Sequence, residues 1–393
     1  MDKESLSQRE LYIGREQSLI KHRILQKYLQ RFALIIGFKW DTITYVDCFS
    51  GPWNVRSDNL SDSSFSIALR ELQVARAQHG IRGKSIKLRC LFLERDIDAY
   101  LKLKEFADSA KNALVETRNC ELAEGIGDVV AFVRQGGPRS FPFIFIDPTG
   151  WTGFAMDEIA PLLKFDPGEV LINFMTGHIS RFIEAPSEQT QESFVRLFGD
   201  PSFKDSLQGL SKRDREDAVV AKYTENIAQT GKFTFTSKAI VLHPEQDRTH
   251  FHLIYASRNP RGIEVFKEAE EKAMEEMQHV RAEAHKRKTD KKTPQNELFE
   301  PVVLHQSKYF DELRERYLKQ AKEKVLQLLV VKGRVLFDEA LATALMEPLV
   351  WKNDLKSWIS DWRKEGYLII EGMELKQRVP RSNANNYLVW KRT

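Results

Sequence analysis

Tyr45-Val46-Asp47-Cys48-Phe49-Ser50-Gly51-Pro52 is the stretch whose reading decides the fold. The apolar run from Ile43 to Phe49 reads as a short buried strand, and Ser-Gly-Pro cannot continue it. A strand that ends in an acid and a glycine turn is how open α/β sheets grip nucleotide-type cofactors. The glycine lets the backbone approach the ligand, and the carboxylate accepts bonds from its hydroxyls or amines. Two further strand ends have the same form, Phe92-Leu93-Glu94 and Phe145-Ile146-Asp147-Pro148.

Outward from that stretch, helices and strands alternate. Residues 10–37 carry a helical apolar face that ends at Gly37, and 65–78 and 97–113 return to helical spacing. Strands are expected at 86–93, 114–117, 141–146 and 169–175, with helices at 122–135 and 156–163. This alternation predicts right-handed βαβ units and a parallel sheet. Residues 176–232 turn polar and helical and are expected as an inserted cap. A hairpin of 233–242 and 250–257 is expected to give the sheet an antiparallel edge. The fold class is therefore α/β, with a Rossmann-like domain over 1–280, a basic linker over 281–309 and a separate tail over 310–393. The tail reads as three helices and a β-hairpin, the order of a winged helix-turn-helix.

Composition narrows the classes. The 393 residues are 42% hydrophobic, enough for a substantial core, and no apolar run approaches the roughly 18 residues of a membrane span. Met1 to Arg9 lacks the apolar stretch of a signal peptide, so a cytoplasmic location is expected. Cys48, Cys90 and Cys120 stand far apart and read as reduced thiols, with no metal site expected. A net charge of +4 permits a nucleic-acid partner without requiring one.

Ligands of a doubly wound sheet lie beyond the carboxyl ends of its strands, which gathers Asp47, Glu94 and Asp147. Glu94 is placed to accept two ribose hydroxyls, and Asp147 to face the reacting end. The dinucleotide fingerprint G-x-G-x-x-G is absent, because Gly51 is followed by Pro52 and Trp53. The set Asp47-x-Phe49-x-Gly51-Pro52, Ser66-Ile67-Ala68-Leu69, Phe92-Leu93-Glu94-Arg95-Asp96, Phe145-Ile146-Asp147-Pro148-Thr149-Gly150-Trp151 and Leu171-Ile172-Asn173-Phe174 resembles class I S-adenosylmethionine-dependent methyltransferases. More narrowly it is similar to the three-Cys-motif partner (TcmP-like) family over residues 10–275, and the tail to the winged helix that some members append.

That resemblance implies S-adenosylmethionine as cofactor. It places Asp47, Phe49, Gly51 and Pro52 at the methionine-binding turn, Glu94 at the ribose, and Asn119 and Cys120 beside the adenine. Asp147, Pro148 and Trp151 fall at the methyl-transfer face. The chain departs from the family's pattern in three places. Trp53 stands where the third residue of Gly-Pro-Gly is usual, Asn119-Cys120 replaces an acid, and Thr149 breaks the Asp-Pro-Pro-aromatic box.

Basic residues of the tail suit phosphate contacts with nucleic acid, and DNA in particular: Lys352, Lys356, Arg363 and Lys364 on its third helix, Lys376, Arg378 and Arg381 on its wing. The expected function is methylation of nucleic acid by a chain that its tail directs to the target. Two alternatives use the same residues. One is a non-catalytic protein that keeps the fold and binds nucleic acid or a protein partner through the tail. The other is a nuclease in which Asp47, Glu94 and Asp147 hold Mg²⁺.

Overall fold

A computed structural model describes residues 9–52, 55–183, 187–292 and 308–391. Seven strands form one sheet: β1 Thr42–Asp47, β2 Lys87–Leu93, β3 Leu114–Arg118, β4 Ser140–Ile146, β5 Glu169–Phe174, β6 Phe235–Leu242 and β7 Thr249–Ser257. Their order is β3-β2-β1-β4-β5-β7-β6. Strands β1 to β5 pair in parallel, and β7 runs antiparallel to both of its neighbours. This is the Rossmann-like parallel sheet with an antiparallel terminal hairpin that the sequence predicts. Chain order reverses between β1 and β4, which leaves a crevice above their carboxyl ends.

Strand alternation sorts the core into two layers. Tyr45, Phe92, Phe143 and Phe145 face one layer, and Val46, Leu91, Ile144 and Ile146 the other. The first layer is covered by helix α1 (Glu16–Lys39), α2 (Ser64–Ile81) and α9 (Pro260–Lys292), while α3 (Ile97–Ser109) lies beside β3. On the second lie α4 (Leu122–Gln135), α5 (Met156–Leu163), α6 (Thr176–Phe182), α7 (Glu188–Phe198), a 3-10 turn (Pro201–Leu207) and α8 (Lys212–Gly231). The segment expected as a cap therefore packs into the core instead. Tyr223 of α8 stacks on Phe174 of β5 with ring centroids 4.4 Å apart.

Helix α1 does not stop at Gly37 but continues to Lys39. That glycine serves packing, since a Cβ there would run into the His79 ring of α2. The expected linker also begins differently, because 281–292 prolong α9 as helix; residues 293–307 lie outside the described set.

The tail comprises α10 (Lys308–Lys332), β8 (Arg334–Leu336), α11 (Phe337–Leu345), α12 (Lys352–Lys364), β9 (Leu368–Glu371) and β10 (Tyr387–Trp390). The extra strand β8 makes its sheet three-stranded, in the order β8-β10-β9. Its apolar core is continuous with the layer beneath α1 and α9. Polar contacts join the two parts as well. Ser237 Oγ donates to the Leu345 carbonyl over 2.7 Å, and Lys267 Nζ to the Glu347 carbonyl over 2.9 Å. Among the described residues, no helix is long and apolar enough to cross a membrane.

Candidate functional site

A cleft of about 320 Å³ opens above the carboxyl ends of β1 to β4. Phe49 forms its wall after β1, Glu94 and Arg95 after β2, Cys120 to Leu122 after β3, and Asp147 to Gly150 after β4. A volume near 300 Å³ is at the lower end of small-ligand sites. Besides Glu121, which pairs with Arg95 over 3.2 Å, two acids reach it from opposite sides of the switch point. Glu94 is only 4% exposed, and its Oε1 accepts the Asp96 N–H over 2.6 Å, which fixes the carboxylate at the strand end.

Asp147 is held by residues far away in sequence. Lys21 Nζ of α1 lies 2.8 and 2.5 Å from its two carboxylate oxygens, and Asn173 Nδ2 of β5 donates to Oδ1 over 2.7 Å. Both members of the ion pair are largely shielded from solvent, with side chains 13% and 11% exposed. The side-chain oxygen of Asn173 is buried and finds no hydrogen-bond partner among the described residues. Such a carboxylate is fixed in direction and charge-compensated, which suits it to orienting an N–H or O–H.

Asp47 does not line the cleft. Its Oδ1 accepts the Phe49 N–H over 3.1 Å and its Oδ2 the Ser64 hydroxyl over 2.7 Å, so the carboxylate closes the turn that follows β1. Ser50 completes this turn by donating its N–H to the Leu93 carbonyl over 2.7 Å. Burial, with the nearby Asp147 charge adding to it, pushes the Asp47 pKa from 3.8 up to about 7. A carboxyl with a raised pKa in the fold adds stability that is complete below the unfolded value and is lost as pH rises through the folded one. Asp47→Asn should therefore gain on the wild type from about pH 4 to about pH 7 and hold a constant lead above that. Urea unfolding across that range checks this, and a pH-independent difference between the two proteins would contradict it.

The other expected residues divide. Phe49, Glu94, Cys120, Asp147 and Pro148 are brought together on the cleft wall or its rim. Gly51 and Pro52 are half-buried and lie outside the lining. Trp53, expected to set the width of the pocket, lies outside the described residues. Asn119 is engaged with the backbone, its Nδ2 donating to the Glu94 and Arg95 carbonyls over 2.9 and 3.0 Å. Trp151 is stacked on Phe194 at 5.5 Å and donates Nε1–H to Ser193 over 3.1 Å. That ring is committed to the helices on the sheet's second face and not to a base.

Sequence reasoning missed Lys21, whose only signal is a charge inside an otherwise apolar helical pattern, and Ser64. The Mg²⁺ alternative needs its three acids together. Asp47 is closed into its turn and Asp147 holds an ammonium group, and among the described residues no group of three His, Cys, Asp or Glu is placed to hold a metal ion. All three cysteines are free thiols, and burial pushes the Cys90 thiol up to about 12.

On the tail, Arg363, Lys364, Lys376, Arg378 and Arg381 are exposed and Lys356 is half-buried. Lys352 is not available in the same way. It forms an ion pair with Glu264 of α9 and donates to Ser382 Oγ over 2.9 Å. Trp358 and Trp362 are buried core residues of the tail.

No family model matches the chain, and no curated protein matches it. Among solved structures, it is similar to a Legionella pneumophila protein of the DUF519 family, with 12% identity, a TM-score of 0.36, and coverage of 60% of this chain and 84% of that one. It is also similar to loganic acid methyltransferase with SAH, with 9% identity, a TM-score of 0.29, and coverage of 68% and 88%.

Proposed function

We propose that this chain is an S-adenosylmethionine-dependent methyltransferase acting on nucleic acid, and that its tail is a winged helix that engages the target. The reading is carried by one observation: Glu94 and Asp147 face a single cleft from either side of the switch point of a sheet ordered β3-β2-β1-β4-β5-β7-β6. Glu94 takes the ribose hydroxyls, and Cys120 with Leu122 forms the wall at the base. When bound, the sulfonium cofactor supplies an already activated methyl group, so the protein's task is alignment. Asp147, held by Lys21 and Asn173, would accept a hydrogen bond from the acceptor group and so orient it. Titration calorimetry with S-adenosylmethionine tests the reading. Micromolar binding supports it, and no heat at millimolar cofactor sinks it.

A non-catalytic binding protein is the second reading. The Lys21–Asp147 ion pair favours it, because the acid is already satisfied without an acceptor. In that case the cleft gives no cofactor heat while the tail retains nucleic acid.

The tail's part is tested separately. Replacing Arg363, Lys376, Arg378 and Arg381 together by alanine is expected to weaken binding to duplex DNA. The slope of log affinity against log salt should fall by about 0.9 for each phosphate that is no longer neutralised. Filter binding at several salt concentrations reads both effects; an unchanged slope would make this face a protein-docking surface. Lys352 is left out of the set because its replacement would also break the ion pair with Glu264.

A further inference from the structure

A second cavity, also of about 320 Å³, lies at the opposite ends of the strands from the cleft. Its walls are apolar and largely aromatic: Phe32, Ile36 and Trp40 from the last turns of α1 and their exit, Phe141 at the start of β4, and Val265 of α9. Asp166, Ser257 and Asn259 add polar groups, and the buried acid of the lining is Glu169, the first residue of β5, which is only 4% exposed. Its Oε1 accepts the Ser257 hydroxyl over 3.0 Å, its Oε2 accepts the Tyr28 hydroxyl, the Tyr255 hydroxyl also bonds the carboxylate, and the two tyrosine hydroxyls meet at 3.0 Å.

The partners of this acid are thus hydroxyls, and among the described residues no cation pairs with it. The basic residues of the lining are engaged elsewhere or lie at the mouth. Arg258 donates to the carbonyls of Phe165 (2.7 Å), Leu163 (3.2 Å) and Gly231 and lies 3.9 Å from Asp166. Arg261 pairs with Glu264, and Lys39 is exposed. A buried carboxylate without a counter-ion is costly, and a carboxylate has about four acceptor sites, about one more than the three hydroxyls of Tyr28, Tyr255 and Ser257 fill. Gly262, in the first turn of α9, lets that helix pack closely on this hydroxyl–carboxylate network, since a Cβ there would meet the Tyr255 hydroxyl, Glu169 Oε1 and Ser257 Oγ, the last two at 2.7 and 2.9 Å.

We infer that this cavity binds a small amine with an apolar or aromatic body, its ammonium group set against the Glu169 carboxylate and its body against Phe32, Trp40 and Phe141. The hydrophobic walls take up the body and the aromatic faces favour a cation near them. This site is independent of the cofactor cleft.

The test uses 2-phenylethylamine as probe, with 2-phenylethanol and phenylacetate as isosteres of different charge, in calorimetric titrations of the full chain. The amine is expected to bind saturably below about 10 mM, at least about tenfold more tightly than either isostere. Glu169→Gln keeps the shape and hydrogen-bond acceptance but removes the charge, and should cost the amine about tenfold or more. Ile36→Trp fills the cavity from α1 without touching the hydroxyl network, and should abolish binding even if the Gln variant folds poorly. Three outcomes overturn the proposal: no binding of the amine at about 10 mM, equal binding of alcohol and amine, or binding that survives Ile36→Trp.

Discussion

Glu94→Ala is expected to weaken S-adenosylmethionine binding by about 100-fold to 10,000-fold. A carboxylate that accepts two hydroxyls makes two charge-assisted hydrogen bonds, each worth about 1.5–3 kcal/mol, and both are lost at once. Burial adds to the effect, because Glu94 is 4% exposed and the ribose would bind where water screens little. Glu94→Gln should lose less, since the amide oxygen still accepts one bond. Titration calorimetry of the three proteins gives the ranking. Because Glu94 also accepts the Asp96 N–H, urea unfolding of the same samples shows whether the strand end has stayed intact. Affinity within about threefold of the wild type in a folded Ala variant would remove Glu94 from the ribose and, with it, the proposed reading of the cleft.

Glu270→Ala should destabilise the chain by about 3–5 kcal/mol. Glu270 is fully buried on α9, where it pairs with Lys267 and its Oε1 accepts the Leu349 N–H of the tail over 3.2 Å. Burial pushes the Glu270 pKa up and the Lys267 pKa down, and in each the partner's charge opposes the shift. Removing the acid takes away the first counter-charge of the buried Lys267 ammonium, leaving it the Glu347 carbonyl as acceptor and the pull of the Glu347 carboxylate, and also orphans a backbone N–H. Replacing both partners by methionine should cost far less, because the uncompensated charge goes with its partner. Urea midpoints of the single and double variants separate the explanations. If the double variant is as unstable as Glu270→Ala, lost packing rather than a stranded charge is the cause.

The sheet is legible because its strands announce themselves locally. Runs such as Phe141–Ile146 are apolar on both faces, and each stops at an acid, a glycine or a proline. Topology alone gathers the acids at those ends, so Glu94 and Asp147 emerge together. Residues that act across long sequence separations are not legible. Lys21 stands 126 residues from Asp147, and nothing near it says that α1 crosses the carboxyl end of β4. Gly37 reads as a helix stop because a glycine's role in letting two helices approach depends on a partner, His79, that only the fold supplies. Trp151 and Asn119 have the right chemistry for a base, but neighbours invisible in the sequence already engage both. The tail's elements are readable from periodicity, whereas its shared core with the sheet is not, since α9 runs through the segment that its charges mark as a linker.

That shared core has a consequence for how the chain can be taken apart. Phe310, Leu313, Tyr317, Leu341 and Trp358 of the tail belong to the same apolar body as Tyr28, Phe143 and Phe266. A truncation before α10 would uncover the outer face of α9 and β6 and leave Lys267 and Glu270 without the carbonyl and N–H they meet across it. Loss of nucleic-acid affinity in such a fragment would report unfolding as readily as loss of a binding surface. The two parts share one apolar core, so their roles separate by exchange of surface charges and not by cutting the polypeptide.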